Sequence, residues 1–319
     1  NNLTNIQPER SRWLQMAEQE LKVMEKYHIH VRGIEDSNYP RLLKHCADAP
    51  LVLFYKGSLE EDDTKNIAIV GTRKATEMGK KRIDTLLHEL ADTGYHPNII
   101  SGLAYGIDIA AHTACVHYGL KAQAVLGHGL HMVYPASHKS MTEKILEQGG
   151  ALISEFPTCA QVLPTNFLQR NRIVAGMSEA TLVAESPVKG GAMSTARQAL
   201  SYNRDVMAIP GRPEDPTFSG CNLLIKQNIA ALVENVKDML RILNWPLLST
   251  GPQQMSLDLF SESNHEVLLL EILGKTGEQN IDQLHQLTRI PVHDLSVLLL
   301  KLELEGRAMQ LPGNCYTLI

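Results

Sequence analysis

Between residues 66 and 233, apolar runs of four or five residues alternate with longer stretches whose apolar side chains recur at helical spacing. Runs such as Ile67, Ala68, Ile69 and Val70 suit strands covered on both faces. Their alternation with helices implies a parallel sheet with right-handed crossovers. The pattern predicts strands over 67–70, 98–101, 122–126, 151–154, 181–185, 205–209 and 230–233. Ahead of them, residues 8–26 read as one helix with Leu14, Ala17, Leu21 and Met24 at helical spacing, and residues 28–31 as a short strand. Residues 38–57 give a short helix, a proline break and a strand at LVLFY, and the acidic residues 60–63 loop into the central strand. Beyond the sheet, residues 245–263 carry Pro246, Ser249, Gly251 and Pro252 without periodicity and read as a linker. Helices are then predicted over 265–273, 281–288 and 292–305, with Gly306 stopping the last, and strands at 307–310 and 315–318 form a hairpin across Pro312, Gly313 and Asn314.

Three helices and a hairpin make a winged helix, so the chain is expected to be an α/β protein with a small C-terminal winged-helix domain. The expected partition is an N-terminal helix with preface strands packing on the core (1–65), the sheet domain (66–244), the linker (245–263) and the winged helix (264–319). Ligands of parallel sheets sit at the carboxyl ends of the strands. Those ends include Gly71-Thr72-Arg73, Ser101-Gly102, Gly127-His128-Gly129, Ser154-Glu155, Glu185-Ser186 and Pro210-Gly211-Arg212, a surface of small residues, backbone amides and scattered positive charge that suits phosphate.

Composition narrows this picture. The 319 residues carry a formal charge of −5, so nucleic-acid binding requires a local basic cluster rather than a basic molecule. The five cysteines lie far apart with no CxxC pair, which argues against a zinc ribbon or a disulfide framework and fits a reducing cytoplasm. No run approaches the ~18 apolar residues of a membrane span, and the polar opening NNLTNIQPERSRW lacks a signal-peptide core. That abrupt opening predicts a missing N-terminal piece.

GxxxxGK[ST] is absent, and Gly127-His128-Gly129 supplies only two glycines of the dinucleotide fingerprint, so no nucleotide cofactor is expected. Asp108 and His112 lie four apart on one helix face, as an acid–base couple or as a tie between the helix start and the loop before it. The tie is favoured, because no nucleophile sits at a telling spacing. His128, His131 and His138 fall in a loop, which predicts exposure. Residues 163–178, LPTNFLQRNRIVAGMS, are the most distinctive. Arg170, Asn171 and Arg172 can bind phosphate or base edges, and Phe167 offers a stacking face. Two arginines separated by one residue point apart on a helix, so Arg170 is expected to face ligand while the other pairs with Glu155 or Glu185. Residues 187–196, PVKGGAMSTA, combine the cation Lys189, the open backbone of Gly190 and Gly191, and the hydroxyls of Ser194 and Thr195, which either cap the helix or join an anion site.

In order, YPRLL, LVLFYKG, IAIVGTRKAT, SGLAYGIDIAAH, AVLGHGLHMVYP, LISEFP, FLQRNRIVAG, VAESPVKGGAMSTA, DVMAIPG and GCNLLI resemble the DNA-processing protein A (DprA/Smf) family, and LLKLELEGRAMQLPGNCYTL resembles its appended winged helix. The resemblance implies an extended Rossmann-like domain that binds single-stranded DNA and delivers it to RecA in recombination and natural transformation. It further implies a homodimer without catalytic activity. By motif, the DNA pocket includes Gly71, Thr72, Arg73, Ser101, Gly102, Phe167, Arg170, Lys189, Gly190 and Gly191. Tyr105 stands where relatives often carry arginine and adds an aromatic face, while Asn171 joins the set from the RNR segment. Leu168 replaces a usual proline, and Gly190 to Ala196 depart from the usual SGSLITA. The rival expectation is a Rossmann-like nucleoside-monophosphate hydrolase using Glu185, Arg170 and the Gly190-Gly191 turn. From residue 265 onward, four basic side chains face seven acidic ones, a net −3, which predicts a protein-contact or regulatory winged helix rather than a duplex-DNA reader.

Overall fold

The computed structural model describes residues 6–59, 65–246, 262–311 and 315–318. Two compact units emerge, residues 1–250 and 251–319, each with its own apolar core. The first begins with α1 (Ile6–Lys26), β1 (His30–Gly33), α2 (Arg41–Lys44) and β2 (Val52–Gly57). Strand and helix then alternate through β3 (Asn66–Gly71), α3 (Glu77–Asp92), β4 (Asn98–Ser101), α4 (Ile107–Tyr118), β5 (Ala122–Val125), α5 (Lys139–Glu147), β6 (Ala151–Ser154) and α6 (Pro164–Gly176). The unit continues with β7 (Ala180–Glu185), α7 (Gly191–Ser201), β8 (Asp205–Ala208), α8 (Ser219–Lys226), β9 (Ala231–Leu232) and α9 (Val236–Ile242).

These nine strands form one Rossmann-like sheet in the order β1-β2-β6-β5-β4-β3-β7-β8-β9. From β6 to β9 the pairing is parallel, and β2 joins antiparallel to β6, with Phe54 opposite Ser154. The preface strands therefore extend the main sheet. Ile67, Ala68, Ile69, Ile99, Ile100, Leu182 and Val183 are fully buried, as their continuous apolar runs require.

Chain order places a functional crevice. From β3 the chain works outward through β4, β5 and β6, then returns to the other side of β3 to lay down β7. The carboxyl ends of β3 and β7 thus flank a topological switch point, where neighbouring loops diverge and leave room for ligand. There the register shifts after Val70, Gly71 lies opposite Glu185, and the Thr72 amide donates to the Glu185 carbonyl at 2.7 Å.

The predicted helix near the N-terminus forms, but its apolar stripe does not bury as its spacing suggests. Met24 enters the core, whereas Leu14 and Leu21 are exposed. The second half of α1 meets the sheet domain, where the Glu20 carboxylate accepts from the Thr158 amide (2.7 Å) and hydroxyl (2.6 Å).

The second unit contains α10 (Glu262–Thr276), β10 (Gln279–Asn280), α11 (Ile281–Thr288), α12 (Val292–Leu304), β11 (Ala308–Leu311) and β12 (Cys315–Leu318). Leu269, Leu273, Leu284, Leu295, Leu299 and Leu302 form its core. Strand β10 is additional to the predicted hairpin and gives a three-stranded sheet, β10-β12-β11. Two residues are too short to carry a period, and Asn280 also opens α11 through a capping box with Gln283. The acidic loop at 60–63, the hairpin turn at 312–314 and most of the expected linker (247–261) lie outside the described residues.

Candidate nucleic-acid interface

A pocket of about 460 Å³ opens at the switch point. Gly71, Thr72 and Arg73 after β3 form one wall, and Ala104 and Asp108 after β4 form the next. Pro164, Phe167, Leu168, Arg170 and Asn171 on α6, with Gly190, Gly191, Ala192 and Thr195 at the start of α7, complete it. Gly71 is required by packing: a Cβ there lies 2.4 Å from Ile107 Cγ1, so any side chain drives β3 and α4 apart.

Arg170 is the buried cation of the pocket. Only 3% exposed, its Nη1 donates to the Val125 carbonyl at 2.5 Å, and burial lowers its pKa to about 10 despite the opposing field of Asp108. It therefore remains charged at neutral pH. Gly102 makes room for it, since a Cβ at that position falls 1.9 Å from Arg170 Nη1. Arg73 is exposed instead, with its guanidinium carbon 5.7 Å from the Phe167 ring centroid. That ring packs at 5.7 Å against Tyr134, so a cation and two aromatic rings meet around Phe167.

Helix starts supply further positive potential. Neither Leu163 before α6 nor Gly190 before α7 makes a side-chain cap, so the hydroxyls of Ser194 and Thr195 do not cap α7. Gly190, Gly191 and Ala192 present the start of α7 to the pocket; the Gly190 amide donates to the Pro187 carbonyl at 2.9 Å, and the Gly191 and Ala192 amides with the helix dipole favour an anion. By contrast α3 is closed: Thr76 accepts from the Gly79 amide, and Glu185 accepts from the Thr76 amide and hydroxyl, each at 3.0 Å. Glu185 is thereby committed to the α3 start and does not line the pocket.

Of the residues expected from sequence, Gly71, Thr72, Arg73, Phe167, Arg170, Asn171, Gly190 and Gly191 come together here. Ser101, Gly102, Tyr105 and Lys189 do not line the cavity. Ser101 is buried and donates to the Ile69 carbonyl at 2.6 Å, and Gly102 backs Arg170. Tyr105 is exposed, packs edge-on against His138 at 4.9 Å and bonds Ser137, while Lys189 is an exposed cation just before Gly190. Arg172 makes the structural ion pair with Glu155 and also donates to the Asp48 carbonyl.

The histidine loop is not exposed as expected. His128 and His138 are buried because each braces a backbone turn. His128 joins the Gly129 carbonyl to the Tyr134 amide, and His138 donates to the carbonyl of Leu103 at 2.8 Å. Leu103 sits at φ 58°, an unfavourable region for a branched residue that full burial and this bond hold in place. The turn so fixed presents Ala104 and Asp108 to the pocket, where the Ala104 amide donates to the Asp108 carboxylate at 3.3 Å. Asp108 thus ties the start of α4 to its preceding loop. Burial raises its pKa, with Arg170 acting in opposition. Buried His112 has no hydrogen-bond partner on either ring nitrogen among the described residues, and its pKa falls to about 3. Tyr134 was not singled out from the sequence, although it stands in GHGLHMVYP; its signal was an exposed aromatic just after a strand-end glycine turn. Among the described residues, no group of three or more His, Cys, Asp or Glu is placed to hold a metal, and no helix is long and apolar enough to cross a membrane.

Residues 30–244 match the family model of DNA recombination-mediator protein A, and residues 258–314 match the DprA winged helix domain. The chain belongs to the DNA recombination-mediator protein A family. Protein Smf of Escherichia coli is 35% identical over 297 residues that cover 91% of this chain and 78% of that protein. Among solved structures, DNA processing protein A (DprA) of Streptococcus pneumoniae aligns with a TM-score of 0.63 at 36% identity, covering 67% of this chain and 74% of that one. DNA processing protein A of Helicobacter pylori, described for its unique single-stranded DNA binding mode, aligns at 0.60 with 28% identity over 68% of this chain and 97% of that one. The family's recombination-mediator model spans every element that builds the pocket, from β3 to α7.

Proposed function

We infer that this member of the family binds single-stranded DNA in the switch-point pocket and loads RecA onto the bound strand, in recombination and natural transformation. It acts as a cytoplasmic homodimer and a binding protein rather than an enzyme. One observation carries the reading: buried Arg170, exposed Arg73, the start of α7 and the Phe167 ring, which packs against Tyr134, converge on one cavity. A backbone phosphate seats on the amides of Gly191 and Ala192, near Arg170. Arg73 takes the phosphate beside it, and Lys189 and Tyr105 continue the track outside. A base stacks on Phe167, with such contacts contributing ~1–3 kcal/mol each. Duplex bases are already stacked on their neighbours, so this combination favours single strands. The H. pylori relative, described as binding single-stranded DNA, gives independent support. Against a nucleotide hydrolase stands the commitment of Glu185 to Thr76. Nucleoside monophosphates incubated with the protein are expected to release no base, and release abolished by Glu185→Gln would reverse this assignment.

The principal test is fluorescence anisotropy with single- and double-stranded oligonucleotides across a salt series. Affinity for single strands is expected to fall with a log–log slope of about −0.7 per phosphate contacted. Arg73→Ala is expected to weaken binding roughly tenfold and to flatten that slope by about 0.7. Unchanged affinity and slope would refute the pocket assignment. RecA filament formation on strands coated with single-strand-binding protein is expected to accelerate when the protein is added; no acceleration removes the loading role and leaves DNA binding intact.

A further inference from the structure

At the end of α1 the exposed ring of Tyr27 gathers two lysines and a histidine that pair with no carboxylate among the described residues. The ammonium groups of Lys26 and Lys56 each lie 5.4 Å from its centroid, and the His131 ring meets it edge-on at 6.3 Å. Lys56 is half-buried and burial lowers its pKa, so this cation has lost water without gaining an acidic partner. His131 Nδ1 is buried too, and it finds no hydrogen-bond partner among the described residues. A tyrosine face attracts both ammonium groups, yet it carries no net charge to neutralise them. Neutralising them takes an anion. The cluster is joined to the switch-point pocket by a braced loop. His131 stands three residues before Tyr134, which keeps their backbones within about 11 Å, and His128 fixes the turn by joining the Gly129 carbonyl to the Tyr134 amide. Tyr134 is exposed and packs on Phe167, over which Arg73 sits. Cations and rings thus succeed one another from the pocket to the end of α1.

We propose that Lys26, Lys56 and Tyr27 form a second phosphate seat, which holds a single strand as it leaves the switch-point pocket over the loop of residues 128–134. The proposal rests on the reading of that pocket as the strand's first site. Backbone phosphate supplies Lys56 with the counter-charge that burial withholds, and Lys26, on the same ring, takes the same phosphate or the next one. A flexible strand can follow the loop, whereas a small anion gains nothing from the pocket. Because the first seat tethers the strand, the second is filled at high effective concentration and raises affinity only for strands long enough to reach it.

Anisotropy with the full chain and thymidine oligonucleotides of two lengths tests it: about six nucleotides, near the low end of single-strand site sizes, and about twenty. Lys26→Gln/Lys56→Met is expected to leave the affinity for the short strand unchanged. For the long strand it is expected to weaken binding roughly tenfold and to flatten the log–log salt slope by about 1.4, the share of two phosphate contacts. Lys26→Arg/Lys56→Arg is expected to keep both affinity and slope. Should the Lys56 replacement impair folding, as thermal unfolding reveals, Lys26→Gln alone at its exposed position is expected to flatten the long-strand slope by about 0.7. Equal losses on short and long strands would make the lysines a support of the pocket and overturn the proposal. Unchanged long-strand affinity and slope would overturn it equally. Arg73→Ala separates these results from failure of the pocket itself, since it is expected to weaken both lengths; strands of both lengths that ignore Arg73→Ala would refute the pocket instead.

Discussion

Alanine at Gly102 is expected to destabilise the sheet domain by roughly 2–4 kcal/mol and to abolish tight single-strand binding. The added methyl falls 1.9 Å from Nη1 and 2.4 Å from Cζ of Arg170, a side chain only 3% exposed. The guanidinium must move. Movement breaks its bond to the Val125 carbonyl and leaves a buried cation without that partner. It also displaces the buried charge that lines the cavity, so under the proposed function stability and binding fall together although Gly102 does not line the cavity. Urea unfolding and anisotropy measure the two losses. Arg170→Ala vacates the same space, so the double substitution Gly102→Ala/Arg170→Ala is expected to cost clearly less than the two single losses combined. Additive losses would show that Gly102 does not act through Arg170.

This socket marks the boundary of what sequence can disclose. The residues after β3, on α6 and at the start of α7 could be nominated because each combines a strand or helix end with glycine or arginine, a local signal. The strands were equally legible, since burial on both faces writes a continuous apolar run such as Ile67 to Val70. Packing between distant segments leaves no such trace. Gly102 reads as a ligand-facing glycine, yet its absent side chain makes way for Arg170, sixty-eight positions later. Likewise His128 and His138 look like ordinary loop residues until the turns that they brace are seen. Helix α1 fails in the opposite direction: its stripe is evident, but periodicity states which residues share a face, not that the face is covered.

Replacing His112 with phenylalanine is expected to flatten the acid dependence of folding. An unfolded histidine titrates near 6.5, whereas His112 in the fold titrates at about 3. Burial is the main cause, and the positive charge of Arg170 and the imidazole of His138 add to it. Between those values the unfolded chain takes up a proton that the folded chain refuses, so this residue's contribution is intact above about 6.5 and is lost as the pH falls. At pH 5 the loss is roughly 2 kcal/mol, from 1.36 kcal/mol per unit. Asp108, on the same helix face, works in the other sense: its raised pKa favours the fold at low pH and costs stability once the pH rises through the folded value. The parent protein therefore shows the sum of both, and the difference between it and His112→Phe isolates the histidine. At pH 7 the substitution is expected to be neutral or stabilising, because two buried nitrogens with no hydrogen-bond partner among the described residues are replaced by a ring of similar shape. Denaturant titrations from pH 5 to 7 measure the gap. A gap that stays constant over that range would mean that His112 protonates in the folded state as readily as in water, and would reopen its role as an acid–base partner of Asp108 beside the pocket.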